Sequence, residues 1–180
     1  MHHHSPMSGA ILAGALLAFV SGTAHGHAVF VEDTFVAGQT VEVGLRIAHG
    51  CEGSATRSVQ VQMPNGPGVT PAAMRIKPRY TRQWLVRAQR GPVEPFESHG
   101  TLYFEDVTAI QWSLGLLPDA QYEVFQFRLT LPELPQGTDQ ITLEFPTVQQ
   151  CIRGQNIWDN ETVPNLTITA PEISEVDTLR

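Results

Sequence analysis

From residue 40 onward the chain repeatedly alternates apolar and polar residues with period two, and this confines it to β-structure. In Thr40–Ile47 every second residue from Val41 is apolar, and Val59, Val61 and Met63 repeat the pattern in 58–63. Such alternation puts one face of a strand in a core and the other in water. Residues 84–88, 100–104, 109–112, 124–129, 140–145 and Asn165–Thr169 read as further strands. Turn signals separate them: Ala37-Gly38, Pro64-Asn65-Gly66-Pro67-Gly68, Lys77-Pro78, Leu117-Pro118-Asp119 and Pro135-Gln136-Gly137. No segment after residue 27 has helical periodicity of useful length, and there is no internal repeat. Many short strands punctuated by Gly and Pro predict an all-β, antiparallel two-sheet sandwich.

The first 26 residues have a different character. The run Ala10–Val20 is apolar and too short to span a bilayer, and Ala24-His25-Gly26 has small residues at the −3 and −1 positions of a cleavage site. This predicts a signal peptide over 1–26 and export to the periplasm or extracellular space. The leader lacks Lys and Arg; His2, His3 and His4 resemble a short tag and stay outside any metal argument. Removing 26 of 180 residues leaves 154, one domain with enough chain for a hydrophobic core. The expected division is a leader over 1–26, one domain over 27–170 and an acidic tail over 171–180. The net charge of −7, a single Lys and dispersed Arg residues argue against nucleic-acid binding. A second long apolar run is absent, which predicts a soluble mature domain.

Two cysteines remain, Cys51 and Cys151. In an exported chain an even pair reads as one disulfide; the alternative is two soft metal ligands. The chain-entropy model assigns closure of such a long loop about 4–5 kcal/mol.

Phosphate loops and nucleophile elbows are absent: Gly66-Pro67-Gly68 lacks the lysine and helix of a P-loop, and no Gly-x-Ser-x-Gly occurs. The mature part has three histidines, His27, His49 and His99. Cleavage after Gly26 makes His27 the first residue. It then offers one metal ion an α-amine and an imidazole nitrogen, a chelate suited to the tetragonal N/O preference of Cu(II). The alternative is a solvated terminal histidine. His49 ends the first long strand beside Cys51 and reads either as a second ligand pinned by the disulfide or as a surface-turn histidine. His99 lies in a turn-like stretch and reads as surface. Glu32 is five residues after His27, which in an ideal strand puts it on the opposite face. It can join His27 only if the first residues depart from a regular strand. Trp158 reads as a cover over the metal or as core, and Met63 and Met74 read as core. Asn160-Glu161-Thr162 and Asn165-Leu166-Thr167 match the glycosylation sequon, a weak signal.

Several segments resemble, in order, the YcnI-type family of exported bacterial copper-binding domains. His49-Gly50-Cys51-Glu52-Gly53-Ser54-Ala55-Thr56 is similar to its HGCxGS(A/P)T, and Val59 to Pro64 to its VxVQ(I/L)P. Ile110-Gln111-Trp112-Ser113 resembles its IxWSGG, and Leu117 to Phe125 its LPDxxYDEF. Phe145 to Cys151 resembles FPVVQxC, followed by Trp158. The match runs from His27 to about Thr169. The resemblance implies an Ig-like or cupredoxin-like sandwich and Cu(II) held by the mature N-terminal histidine, with a carboxylate and a tryptophan associated. Carried over, His27 matches the brace histidine and Trp158 the tryptophan. His49 stands close to the remaining ligand position, with Glu32 and Glu52 as substitutes. The chain departs from the pattern at Arg79-Tyr80 (KPGW in the family), at Leu114 (WSGG) and at Val124 (YDEF).

The expected function is copper trafficking or homeostasis, as a chaperone or buffer serving a membrane or periplasmic transporter or chaperone, without catalysis. Brace-type copper sites also perform oxidative chemistry in polysaccharide monooxygenases, around a flat aromatic substrate face that the sequence does not display. A structural or adhesion-type sandwich is the third reading.

Overall fold

The structure, a computed structural model, describes residues 27–64, 75–98 and 100–171. The leader, residues 65–68 of the Gly/Pro-rich turn, Met74, His99 and tail residues 172–180 lie outside the described residues. Twelve strands follow in order: β1 (Val29–Phe30), β2 (Thr34–Val36), β3 (Thr40–Ile47), β4 (Thr56–Gln62), β5 (Lys77–Pro78), β6 (Leu85–Ser98), β7 (Thr101–Ser113), β8 (Glu123–Thr130), β9 (Gln140–Glu144), β10 (Thr147–Cys151), β11 (Gln155–Trp158) and β12 (Asn165–Thr169). The one helical element among the described residues is a 3₁₀ turn, Asn160–Thr162.

The strands form sheets ordered β1-β3-β8-β5, β11-β10-β4-β7-β6 and β2-β12-β9, with every pairing antiparallel except β2 with β12. This is the all-β sandwich that the alternation implies. Val43, Leu45 and Ile47 of β3 lie beside Phe125 and Phe127 of the adjacent strand β8 on the inner face of one sheet, all nearly solvent-free, while Glu42 and Arg46 stand exposed. A continuous series of ring contacts crosses the interior from Trp84 through Phe125, Trp112, Phe127 and Phe145 to Phe30, with centroid spacings of 5.0 to 6.4 Å. Tilted and edge-on pairs of this kind add about 0.5–1.5 kcal/mol each beyond their buried area.

Some expectations change. Lys77-Pro78, read as a turn, is the two-residue strand β5, which is stable there because Pro78 sits at a sheet edge where no ladder donor is needed. The segments 100–104 and 109–112 are parts of one long strand, β7, paired with β6 in an extended hairpin. The short strands β1, β2 and β11 lack enough residues to display a period, and β10 hides its period because two of its inward-facing residues, Thr147 and Gln149, are polar. Cys51 and Cys151 form the disulfide, with Cα atoms 6.0 Å apart.

Candidate functional site

His27 is exposed and immediately precedes β1. Burial of Ala28 and Phe30 and pairing of Val29 with Arg46 and of Phe30 with Leu45 hold the segment against β3. β1 stops at Phe30, and the chain bends at Val31 and Glu32. The strand parity that sets Glu32 opposite His27 therefore does not apply beyond Phe30; Glu32 is exposed at the bend.

The bend brings the next residue round. Asp33 lines, with His27 and Phe30, a cavity of about 200 Å³ whose far wall is Glu161, Thr162, Val163, Pro164 and Asn165. The Asp33 carbonyl accepts the Thr167 amide at 2.7 Å, which fixes the bend to β12. Glu161 is carried by the 3₁₀ turn, where Thr162 N donates to Asp159 O and Val163 N to Asn160 O. One histidine and two acidic residues thus border one cavity. They share its wall without forming a ready-made cluster: among the described residues no group of three His, Cys, Asp or Glu is placed to hold a metal ion.

His49, Trp158, Glu32 and Glu52 are not among the residues lining this cavity. Extended back from Val29, the β1–β3 register sets His27 opposite Ala48, while His49 lies beyond the end of β3. His49 is half-buried, and its Nδ1 is 2.6 Å from Gly50 O, which leaves Nε2 as the atom for a ligand bond. Trp158 is buried at the end of β11, paired with Thr147 and part of the core, just before the 3₁₀ turn that carries Glu161. Glu52 is exposed at the tip of a tight turn. Met63 is core.

The HGCxGS segment does mechanical work that its residue types explain. Cys51 and Ser54 exchange two 2.8 Å backbone hydrogen bonds, closing a turn through Glu52 (φ 48°) and Gly53 (φ 83°). Gly50 is required because a Cβ there would meet Ser54 O at 2.0 Å. Gln149, fully buried on β10, donates through Nε2 to His49 O (2.7 Å) and Thr56 Oγ1 (2.6 Å), and its Oε1 accepts from Asn156 Nδ2 (2.8 Å). Ser54 Oγ accepts the Arg153 amide at 2.9 Å, and Thr56 and Leu117 exchange backbone bonds. No buried side-chain nitrogen or oxygen among the described residues lacks a partner. The segments 49–56, 117–119 and 149–151 therefore meet in one satisfied polar clamp around the disulfide.

Asp33 and Glu161 escaped sequence reasoning. Asp33 stands beside the more conspicuous Glu32, and Glu161 is the middle residue of a sequon; neither carries a local signal, because their approach to His27 depends on a bend and a 3₁₀ turn far apart in the chain.

No curated protein matches the chain. Among solved structures, an uncharacterised protein from Nocardia farcinica described as having an immunoglobulin-like fold is similar at 15% identity and TM-score 0.50, over 80% of this chain and 96% of that one. A non-cellulosomal cohesin from Archaeoglobus fulgidus (9% identity, TM-score 0.38, 84% of this chain and 94% of that one) is a more distant likeness. So is a collagen-binding domain from a Staphylococcus aureus adhesin (11% identity, TM-score 0.36, 82% and 99%). The first of these shows an Ig-like fold. Residues 27–174 match the family model described as domain of unknown function DUF1775, and the chain belongs to that family.

Proposed function

We propose that this protein is an exported copper-binding domain of the YcnI type. In this reading it holds Cu(II) through the α-amine and imidazole of His27 once the leader is removed, and it buffers or delivers copper in the periplasm or outside the cell. The observation that carries the reading is the position of His27. It is exposed at the start of β1, on a cavity that Asp33 and Glu161 also line. The family match also begins at His27, the residue that follows the expected cut.

The donor set fits the metal. A terminal amine and an imidazole supply two nitrogens, and carboxylates supply oxygens; N/O donors in a tetragonal arrangement suit Cu(II). Asp33 and Glu161 are the acids nearest at hand in the cavity, and His49, Glu32 and Glu52 are the candidates from the motif comparison. Trp158, packed in the core next to the 3₁₀ turn, stiffens the segment that carries Glu161. Bound Cu(II) would be cargo, handed to a membrane or periplasmic transporter or chaperone, and the protein would not be an enzyme.

The test has two stages. Mass spectrometry of the exported protein is expected to find His27 at the terminus; any other terminus removes the chelate. Cu(II) titration is then expected to show tight binding in the cleaved protein, and weak binding when the α-amine of His27 is acetylated, because the amide nitrogen so formed has no free lone pair to complete the chelate.

A further inference from the structure

The basic residues, read above as dispersed, are in fact concentrated in one segment of the chain. Residues 75–90 hold six of the eleven Lys and Arg residues and no acid, in a chain of net charge −7. Arg75, Lys77, Arg79 and Arg82 are exposed along the β5 edge, and Arg128 of β8 pairs with Lys77.

β5 covers little of β8. It pairs at Lys77↔Arg128 and Pro78↔Phe127, and Arg79 N donates to Gln126 O at 2.9 Å. From Tyr80 the chain leaves the sheet, and a cleft of about 280 Å³ opens between residues 79–84 and 123–126. Its floor is lined by the buried residues Trp84, Trp112 and Phe125, of which Trp84 keeps the most exposed surface, its rim includes Arg79, Tyr80, Glu123 and Gln126, and the exposed Arg82 lies in the same 79–84 segment. Tyr80 is 82% exposed. Leu114, also largely exposed, is held near the floor because the backbone of Gly115 lies on the Trp84 ring, where a Cβ would come within 2.4 Å.

The cleft contains an open strand edge. In an antiparallel ladder each residue turns both its N–H and its C=O toward one neighbouring strand, and the next residue toward the other. Gln126 faces β5, so Val124 faces the same side, into the cleft. The Val124 N–H is capped locally by Glu123 Oε1 at 3.0 Å, a contact that a peptide carbonyl can replace.

We propose that this cleft docks an extended, acidic segment of a partner protein. The segment adds as a short strand to the β8 edge at Val124, sets an apolar side chain on the aromatic floor, and places carboxylates against Arg79 and Arg82. Strand addition draws affinity from main-chain hydrogen bonds and specificity from pockets for alternate side chains. Both are offered here, and the exposed cations Arg75, Lys77, Arg79 and Arg82 of the adjoining segment select the charge of the partner and steer its approach. The cleft shares no lining residue with the cavity beside His27, so the proposal stands apart from copper binding.

The test titrates ¹⁵N-labelled protein with a blocked hexapeptide of alternating glutamate and valine. The expected result is saturable amide shifts at Val124, Gln126 and residues 79–84, weakened about tenfold by Arg82→Glu. A lysine–valine peptide is expected not to bind. A glutamate–proline peptide of the same charge, which lacks the alternate N–H groups, is also expected not to bind. Equal binding of the glutamate–proline peptide would reduce the site to charge attraction and overturn the proposal. So would shifts confined elsewhere, indifference to Arg82→Glu, or no binding by the glutamate–valine peptide at millimolar concentration.

Discussion

The side-chain amide of Gln149 donates a 2.7 Å hydrogen bond to the backbone carbonyl of His49, one hundred residues earlier in the chain. The same nitrogen serves Thr56, and the Gln149 oxygen takes the Asn156 amide. Replacing Gln149 with Leu leaves the His49 carbonyl and the Asn156 amide without these partners. Urea unfolding with the disulfide intact should show a loss of about 2–4 kcal/mol, since each stranded polar group costs about 1–3 kcal/mol.

Gly50 and Gly53 lie three residues apart and should respond differently to Ala. At Gly50 the new Cβ would meet a backbone oxygen at 2.0 Å, so the turn or the β4 entry must move, at a cost of about 3 kcal/mol. At Gly53 nothing lies within 4 Å and only the φ of +83° opposes a side chain, at a cost of about 1 kcal/mol. Thermal melts of the two variants should separate by several degrees in that order.

Removing the crosslink by substituting Ala at both Cys51 and Cys151 should lower stability by about 4–5 kcal/mol, because a loop of 100 residues is released in the unfolded chain. Proteolysis should then begin near 49–56, where the clamp is anchored.

For the cleaved protein, His27→Ala should abolish high-affinity Cu(II) binding, as read by competition with a chromogenic chelator. The pair Asp33→Asn and Glu161→Gln should weaken binding about tenfold or more without altering the fold, since supporting groups of a metal site typically contribute 10–100-fold. Loss on His49→Ala but not on the carboxylate pair would instead assign the remaining ligand to His49.

The strand framework was legible because its signals are local. Thr40–Ile47 and Asn165–Thr169 have the same bounds in the structure as in the alternation pattern. The Cys51–Cys151 pairing followed from an even count in a chain expected to be exported. The site was only half legible. A residue at a cleavage junction identifies itself, whereas Asp33 and Glu161 have no pattern of their own, and Glu32 drew attention through a strand parity that the bend at Val31 and Glu32 cancels.

The sequence alone determined the all-β class, the inward-facing residues and the disulfide, because period-two burial and turn chemistry act between near neighbours and the chain holds a single pair of cysteines. The tertiary structure decided which residues share a cavity with His27 and where the cleft beside the cationic segment 75–90 opens. Those outcomes depend on contacts such as Phe35 with Ile168 and Lys77 with Arg128, which join segments distant in the chain. Only the closing of the sheets fixes such pairings, and it set Asp33 and Glu161 on the wall of the cavity that His27 lines and left the edge of β8 open at Val124.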